Sequence, residues 1–297
     1  MIITLTLNPA FDLHVTLPSF SVGKEHHAQT VTRSIGGKGI NTSRALKENG
    51  IDNLALILSG QENESEFLKG LEAEKLLFKV FSCEGRIREN ITVHTDKGEE
   101  TRLSFAGFSC SKALLEQIEK EIPPHATVTF SGSLPQGITE SEATAFLLRL
   151  KRKGARLVLD SKSLSLASIK EIQPWLIKPN AEEVQTYCNA STIEEIKVAA
   201  LKLHQAEIDN VLVSLGEEGA LLASAGTLFY GNAPKIKVRS TIGAGDSMIA
   251  GFLADEVPPE GRLKTAIAYG SAACLTEGTA PPSPDDIHAL LPQIQIQ

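Results

Sequence analysis

The sequence predicts an α/β protein built on a doubly wound, mainly parallel sheet flanked by helices, with a small antiparallel β lid projecting from it. Three observations carry this expectation. Short apolar runs alternate with longer amphipathic stretches, as in βα units laid on a parallel sheet. Two regions break the rhythm with period-two alternation and no intervening helix. The 297 residues, 42% of them hydrophobic, suffice for a substantial buried core.

Strands are expected at 2–7, 54–59, 127–131, 156–160, 175–178 and 210–215. Amphipathic segments near 39–49, 63–73, 112–120, 140–153, 164–170 and 192–205 have the length to cross back over a sheet. The period-two regions are 11–17 with 26–34, and 87–95 with 100–105 around the turn Asp96-Lys97-Gly98. They suggest lid strands within about 11–34 and 87–105. The last third carries short strands near 219–224, 227–230 and 235–238, then helices starting near 244 and 261. No internal repeat or long linker divides the chain, so 1–297 reads as one domain.

A formal charge of −7, from 36 acidic and 29 basic residues, gives no footprint for nucleic acid or an anionic membrane. An anionic ligand would need local cations. Cys83, Cys110, Cys188 and Cys274 lie far apart and form neither a metal knuckle nor a disulfide scaffold. MIITLTLNP suits a core strand better than a signal peptide, and no apolar run approaches the ~20 residues that span a bilayer. A cytoplasmic location is expected. Sequons such as Asn189 with Ser191 then carry no weight.

In TIGAGDS, 241–247, the chain turns at Gly243-Ala244-Gly245 and a helical pattern begins at Asp246. Glycines admit a ligand close to the backbone, and a helix N-terminus aims unpaired N–H groups at an anion. A carboxylate beside such a hole can take the proton of an attacking hydroxyl. It can equally be a helix cap, and the local chemistry leaves both readings open. Gly243-x-Gly245 lacks the third glycine of a dinucleotide fingerprint, with Met248 in its place. Gly36-Gly37-Lys38-Gly39 misses a P-loop, with Thr32 and Gly39 where glycine and Ser or Thr belong. Asn180 and Glu183 have the spacing of a capping box.

TIGAGDSMIAG resembles the second signature of the ribokinase-like superfamily in its phosphofructokinase B branch, and IGGKGINTSRAL at 35–46 resembles the first. SGSLP at 131–135, KPNAEE at 178–183 and VSLGEEGA at 213–220 follow in the family's order. The resemblance spans essentially the whole chain. It implies an ATP-dependent sugar kinase with Asp246 as base and Gly243, Ala244 and Gly245 as an anion hole. It also implies Mg²⁺ placed by Glu183 and Asn180, largely through water. Lys178, Asn180, Ser214, Gly216, Gly219, Thr241 and Ser271 would border ATP.

On the acceptor side the resemblance implies Asp12, Gly37, Asn41, Ser131 and Ser133 around the sugar, and Lys24, Lys38, Arg88 and Arg102 around a phosphate it already carries. Within the family, LTLNPAFD and the segment around Arg88 look most like 1-phosphofructokinases, with tagatose-6-phosphate kinases next. The expected partners are a phosphorylated ketohexose and ATP, with a homodimer through the lid as related proteins form. Thr42 departs from the pattern, which often has a small aliphatic residue there. A binding protein that senses a sugar phosphate without turnover is the alternative of another class. The seven histidines show no ligand spacing, and Trp175 reads as core.

Overall fold

The computed structural model describes all residues except Glu99 and Ser191, so the hydroxyl of the Asn189 sequon and one residue of the second lid region lie outside the described residues. A nine-stranded sheet forms the body. Its parallel part contains β1 (Ile2–Thr6), β4 (Asn53–Gly60), β5 (Phe78–Cys83), β8 (Thr127–Ser131), β9 (Arg156–Asp160), β10 (Leu176–Ile177) and β11 (Asn210–Ser214). β12 (Ala220–Ser224) and β13 (Thr227–Gly231) continue it antiparallel. The order is β13-β12-β11-β10-β9-β8-β1-β4-β5.

Because helices cover both faces, strand residues alternate between two apolar clusters rather than between core and water. Leu157, Leu159, Val211 and Val213 enter the cluster under α2 (Glu64–Ala73), α3 (Ala113–Glu121), α4 (Glu140–Arg152), α5 (Leu166–Ile172), α6 (Ala181–Cys188) and α7 (Ile193–Gln205). Val158, Leu176 and Leu212 face the other cluster, which holds α1 (Lys38–Glu48), α8 (Ala244–Ala254), α9 (Pro259–Ala273) and α10 (Pro284–Leu290). This two-sided burial is why the strands read as continuous apolar runs.

The lid is a four-stranded sheet in the order β3-β2-β6-β7, from β2 (Ala10–Leu17), β3 (Thr30–Gly36), β6 (Arg88–Thr95) and β7 (Glu100–Leu103). Each expected ribbon is antiparallel, and the two join through a parallel β2/β6 pair.

The strand expected at 235–238 does not form. The outer edge of β13 is already taken, with Tyr230 N–H donating to the Gln297 carbonyl at 3.0 Å and Gln297 N–H donating to the Tyr230 carbonyl at 2.8 Å. Residues 232–239, left without a sheet neighbour, form a loop instead. β5 and α10 are elements the sequence pattern does not announce. Trp175 is only half-buried and precedes β10; its ring lies against Phe252, with the Arg156 and Arg262 guanidiniums 4.7 and 5.3 Å from its centroid.

Candidate active site

β1, β4 and β5 run one way across the sheet and β8 to β11 the other, so the winding reverses between β1 and β8. A crevice is expected there, beyond the carboxyl ends of the strands. The structure has a cleft of about 1530 Å³ at that place, beyond the ~300–1,000 Å³ of a single small-molecule pocket. It has room for two ligands side by side.

The cleft gathers Asp12, Gly37, Lys38, Asn41, Arg88, Arg102, Ser131 and Ser133 on the lid side. Lys178, Asn180, Glu183, Ser214, Gly216, Gly219, Thr241 and Ser271 line the opposite side, with Gly243, Ala244, Gly245 and Asp246 between. Lys24 is the exception: it lies exposed in the loop between β2 and β3 and does not line the cleft, because that loop leaves the lid's edge for solvent.

Asp246 is not a helix cap. The helix begins at Ala244 behind Gly243, whose φ of 79° suits a glycine, and Asp246 sits one residue beyond Gly245 with its side chain buried. The Asn41 amide donates to Asp246 Oδ2 at 2.8 Å. Burial pushes the carboxyl up to about 6 against the attraction of Lys38, with Asp160 adding to the rise and the Asn41 hydrogen bond opposing it. A carboxylate so placed is ionised near neutrality yet basic enough to take a proton. Thr42 donates its hydroxyl to the Lys38 carbonyl at 3.1 Å and the Asp246 carbonyl at 3.3 Å, so it ties α1 to the start of α8.

The Ala244 N–H turns back to the Thr241 carbonyl at 3.3 Å, and the first intrahelical bond runs from Ser247 N–H to the Gly243 carbonyl. Between them, the N–H groups of Gly245 and Asp246 precede any i−4 partner inside the helix. A Cβ on Gly245 would come within 3.0 Å of Lys178 Nζ, so the ammonium lies directly against this turn.

Sequence reasoning missed Asp160, at the end of β9. Its buried carboxylate accepts from Lys38 Nζ at 3.0 Å and faces Lys178 Nζ at 3.7 Å. Burial would raise its pKa, but Lys178 and Lys38 outweigh burial and hold it below the usual value. A strand ending in aspartate one place beyond the switch-point pair β1/β8 was the available signal. Thr6 Oγ1, Asn8 Oδ1, Asn90 Oδ1, Ser131 Oγ and Asp160 Oδ2 are buried without a hydrogen-bond partner, and all belong to residues lining the cleft. Orphaned polar groups along a cleft fit a hydroxyl-rich ligand.

The capping-box reading of Asn180 and Glu183 is realised: Glu183 N–H donates to Asn180 Oδ1 at 2.8 Å and Asn180 N–H to Glu183 Oε2 at 3.0 Å. Glu183 Oε1 still faces the cleft region, 3.7 Å from Lys162 Nζ. No cluster of three acidic, His or Cys side chains suited to a metal occurs among the described residues. The Glu183 carboxylate on this wall fits a Mg²⁺ ion bound mostly by phosphate oxygens and water. His14 and His94 meet across β2 and β6 at 3.0 Å, a pairing invisible in their spacing. No helix among the described residues is long and apolar enough to cross a membrane.

Known proteins share this architecture. Phosphofructokinase-2 from Escherichia coli in complex with substrates and products superimposes with a TM-score of 0.91, at 28% identity over 98% of each chain. Ribokinase from Thermotoga maritima, 18% identical, shares the fold with a TM-score of 0.80 over 98% and 99% of the chains. The 1-phosphofructokinase of Bacillus subtilis is 33% identical over 100% of this chain and 99% of its own. The tagatose-6-phosphate kinase of Staphylococcus epidermidis is 29% identical over the same shares. Fold and relatives together define a ribokinase-like phosphotransferase with an alcohol group as acceptor. The model of the pfkB family carbohydrate kinases matches residues 6–286, and the chain belongs to that family.

Proposed function

We propose that this enzyme transfers the γ-phosphoryl group of ATP to a ketohexose phosphate, and that its acceptor is fructose 1-phosphate, which becomes fructose 1,6-bisphosphate. The observation that carries this reading is Asp246: a buried carboxylate, raised to about 6, at a helix start between an arginine-bearing lid and a glycine-lined wall. The acceptor's identity is supported by the relatives named 1-phosphofructokinase. Tagatose 6-phosphate is the second reading, supported by the 29% identical kinase.

Asp246 takes the proton of the acceptor hydroxyl as its oxygen attacks the γ-phosphorus. The bond from phosphorus to the β–γ bridging oxygen breaks, and ADP leaves with that oxygen. Charge developing on the γ-phosphoryl oxygens meets the backbone N–H groups of the Gly243-Ala244-Gly245-Asp246 turn and the Lys178 ammonium. Mg²⁺, when bound beside Glu183 and Asn180, supplies neutralisation of phosphate charge. Arg102, half-exposed and 3.9 Å from Asp12, has guanidinium N–H groups to give a sugar phosphate. Arg88 is already engaged by the Asn8, Pro9 and Phe105 carbonyls and holds the lid root as well. Closure of the lid would exclude water from the γ-phosphate.

The chain acts as one unit, 1–297, in a reducing cytoplasm where its four free cysteines stay reduced. Exposed Phe20, Val22, Val31, Leu103 and Phe105 on the lid support pairing of two copies there. A sensor without turnover has no need of a buried, ionised Asp246, which costs folding stability. ADP release with fructose 1-phosphate, tagatose 6-phosphate and fructose 6-phosphate tests the reading: highest kcat/KM with the first supports it, and binding without ADP release for all three defeats it.

A further inference from the structure

Behind the cleft, α1 carries a buried guanidinium to which neither the reading of the first signature, 35–46, nor the proposed chemistry gives a role. Arg44 is 6% exposed. Its Nη1 donates to Asn41 Oδ1 at 2.8 Å and to Thr279 Oγ1 at 3.3 Å, and its Nη2 to the Ile35 carbonyl at 2.7 Å. Glu74, at the end of α2, grips it bidentately, with Nε and Nη2 each 2.7 Å from a carboxylate oxygen. All of Arg44's donors are thereby directed, and one is spent on the side chain that touches Asp246.

A guanidinium has donors and no acceptor. Beside it, the Asn41 amide can present only its oxygen. The amide nitrogen must then point the other way, where it donates to Asp246 Oδ2 at 2.8 Å. Were the amide to turn over, its oxygen would face the carboxylate oxygen, an arrangement tolerable only with Asp246 protonated. We infer that Arg44, anchored by Glu74, is the positioning residue for the base: it locks the Asn41 amide in the orientation that keeps Asp246 a proton acceptor. The inference rests on the reading of Asp246 as base. It also leaves Asn41 only its second N–H for a sugar hydroxyl.

The other groups that act on Asp246 are Lys38 from the first turn of α1, Lys178 beyond β10 and Asp160 from the end of β9. None of them changes when Arg44 is altered. Arg44→Lys keeps the positive charge and loses the fork, so it isolates geometry from charge. The experiment is a double-mutant cycle on Arg44→Lys and Asn41→Ala, read as pH profiles of kcat/KM with fructose 1-phosphate and ATP. In the wild-type background Arg44→Lys is expected to lower kcat/KM about tenfold and to move the acidic limb to higher pH. In the Asn41→Ala background the same change should alter kcat/KM by less than about twofold, because the residue through which it acts is gone.

Equal losses in both backgrounds, or an acidic limb that stays in place, would overturn the inference. Should Arg44→Lys not fold, Glu74→Gln at the partly exposed end of the clamp replaces it. It should move the limb in the same direction by a smaller amount, and an unmoved limb overturns the inference again. Asp246→Asn separates the two readings. If that variant turns over like wild type, the base reading falls; if it is inactive while the limb ignores Arg44, only the role of Arg44 falls.

Discussion

Replacing Asp246 with asparagine keeps the side-chain volume and removes the proton acceptor, and its consequences for rate and for stability have opposite signs. Loss of a positioned general base costs about 10²–10⁴-fold in kcat, with little change in sugar KM because the carboxylate is not the phosphate anchor. Stability moves the other way. The folded carboxyl is raised from 3.8 to about 6, so between those values the folded state holds a proton that the unfolded state has lost, and stability falls as pH rises. Above about pH 6 the full cost is present, about 3 kcal/mol at roughly 1.4 kcal/mol per pH unit. Asparagine carries no such cost.

The variant should therefore melt roughly 5 °C above wild type at pH 8, with the gap closing as pH falls through 6 toward 4. The wild-type kcat/KM should rise with pH through about 6, as the base loses its proton. ADP release at saturating ATP and thermal unfolding across pH 4–8 measure both. Near-wild-type kcat would show that the base is elsewhere, and a variant less stable than wild type at pH 8 would refute the reasoning on burial.

Arg102→Ala should raise the KM for the phosphosugar about 10-fold to 100-fold, the worth of a charge-assisted hydrogen bond, without lowering the melting temperature. Arg88→Ala should raise KM and also destabilise the protein, because it frees the Asn8, Pro9 and Phe105 carbonyls at the lid root; a thermal melt beside the kinetics separates the two arginines. Gly243→Ala makes no clash, its new Cβ lying in ordinary contact 3.9 Å from Thr279, so its cost is the left-handed backbone alone, about 1 kcal/mol, with kcat falling as the N–H groups of the turn reorient. Glu183→Gln can still cap α6, so folding should be unaffected while the Mg²⁺ concentration for half-maximal rate rises about tenfold; chelation by EDTA should abolish turnover.

Much of the body was legible because β9 and β11 are buried on both faces and their central residues, Leu157-Val158-Leu159 and Val211-Leu212-Val213, are all apolar. β5 was hidden for the opposite reason: it pairs with β4 alone, and its edge position admits Lys79, which breaks the apolar run. Residues 235–238 alternate like a strand, but alternation cannot reveal that the sheet's edge is already occupied. In the site, TIGAGDS was conspicuous, and its local chemistry allowed both a cap and a base. The helix start at Ala244, behind Gly243, removes the cap; the proposed base rests on burial and on the bond from Asn41, 205 positions away in sequence, and neither is a local property. Asp160 lacks any motif and matters through Lys38 and Lys178, which only the fold brings to it; Arg44 stands inside the first signature, but its anchor, Glu74 at the end of α2, is visible only in the fold. Lys24 shows the converse, a basic residue in a matching position that the backbone carries away from the cleft.

The most direct test of phosphoryl transfer to a sugar phosphate is a ³¹P NMR spectrum of the enzyme with ATP, Mg²⁺ and fructose 1-phosphate. The account predicts a second sugar-phosphate resonance, that of fructose 1,6-bisphosphate, growing in step with ADP and absent with Asp246→Asn. ADP accompanied by inorganic phosphate and no bisphosphate, or no ADP at all, would contradict it.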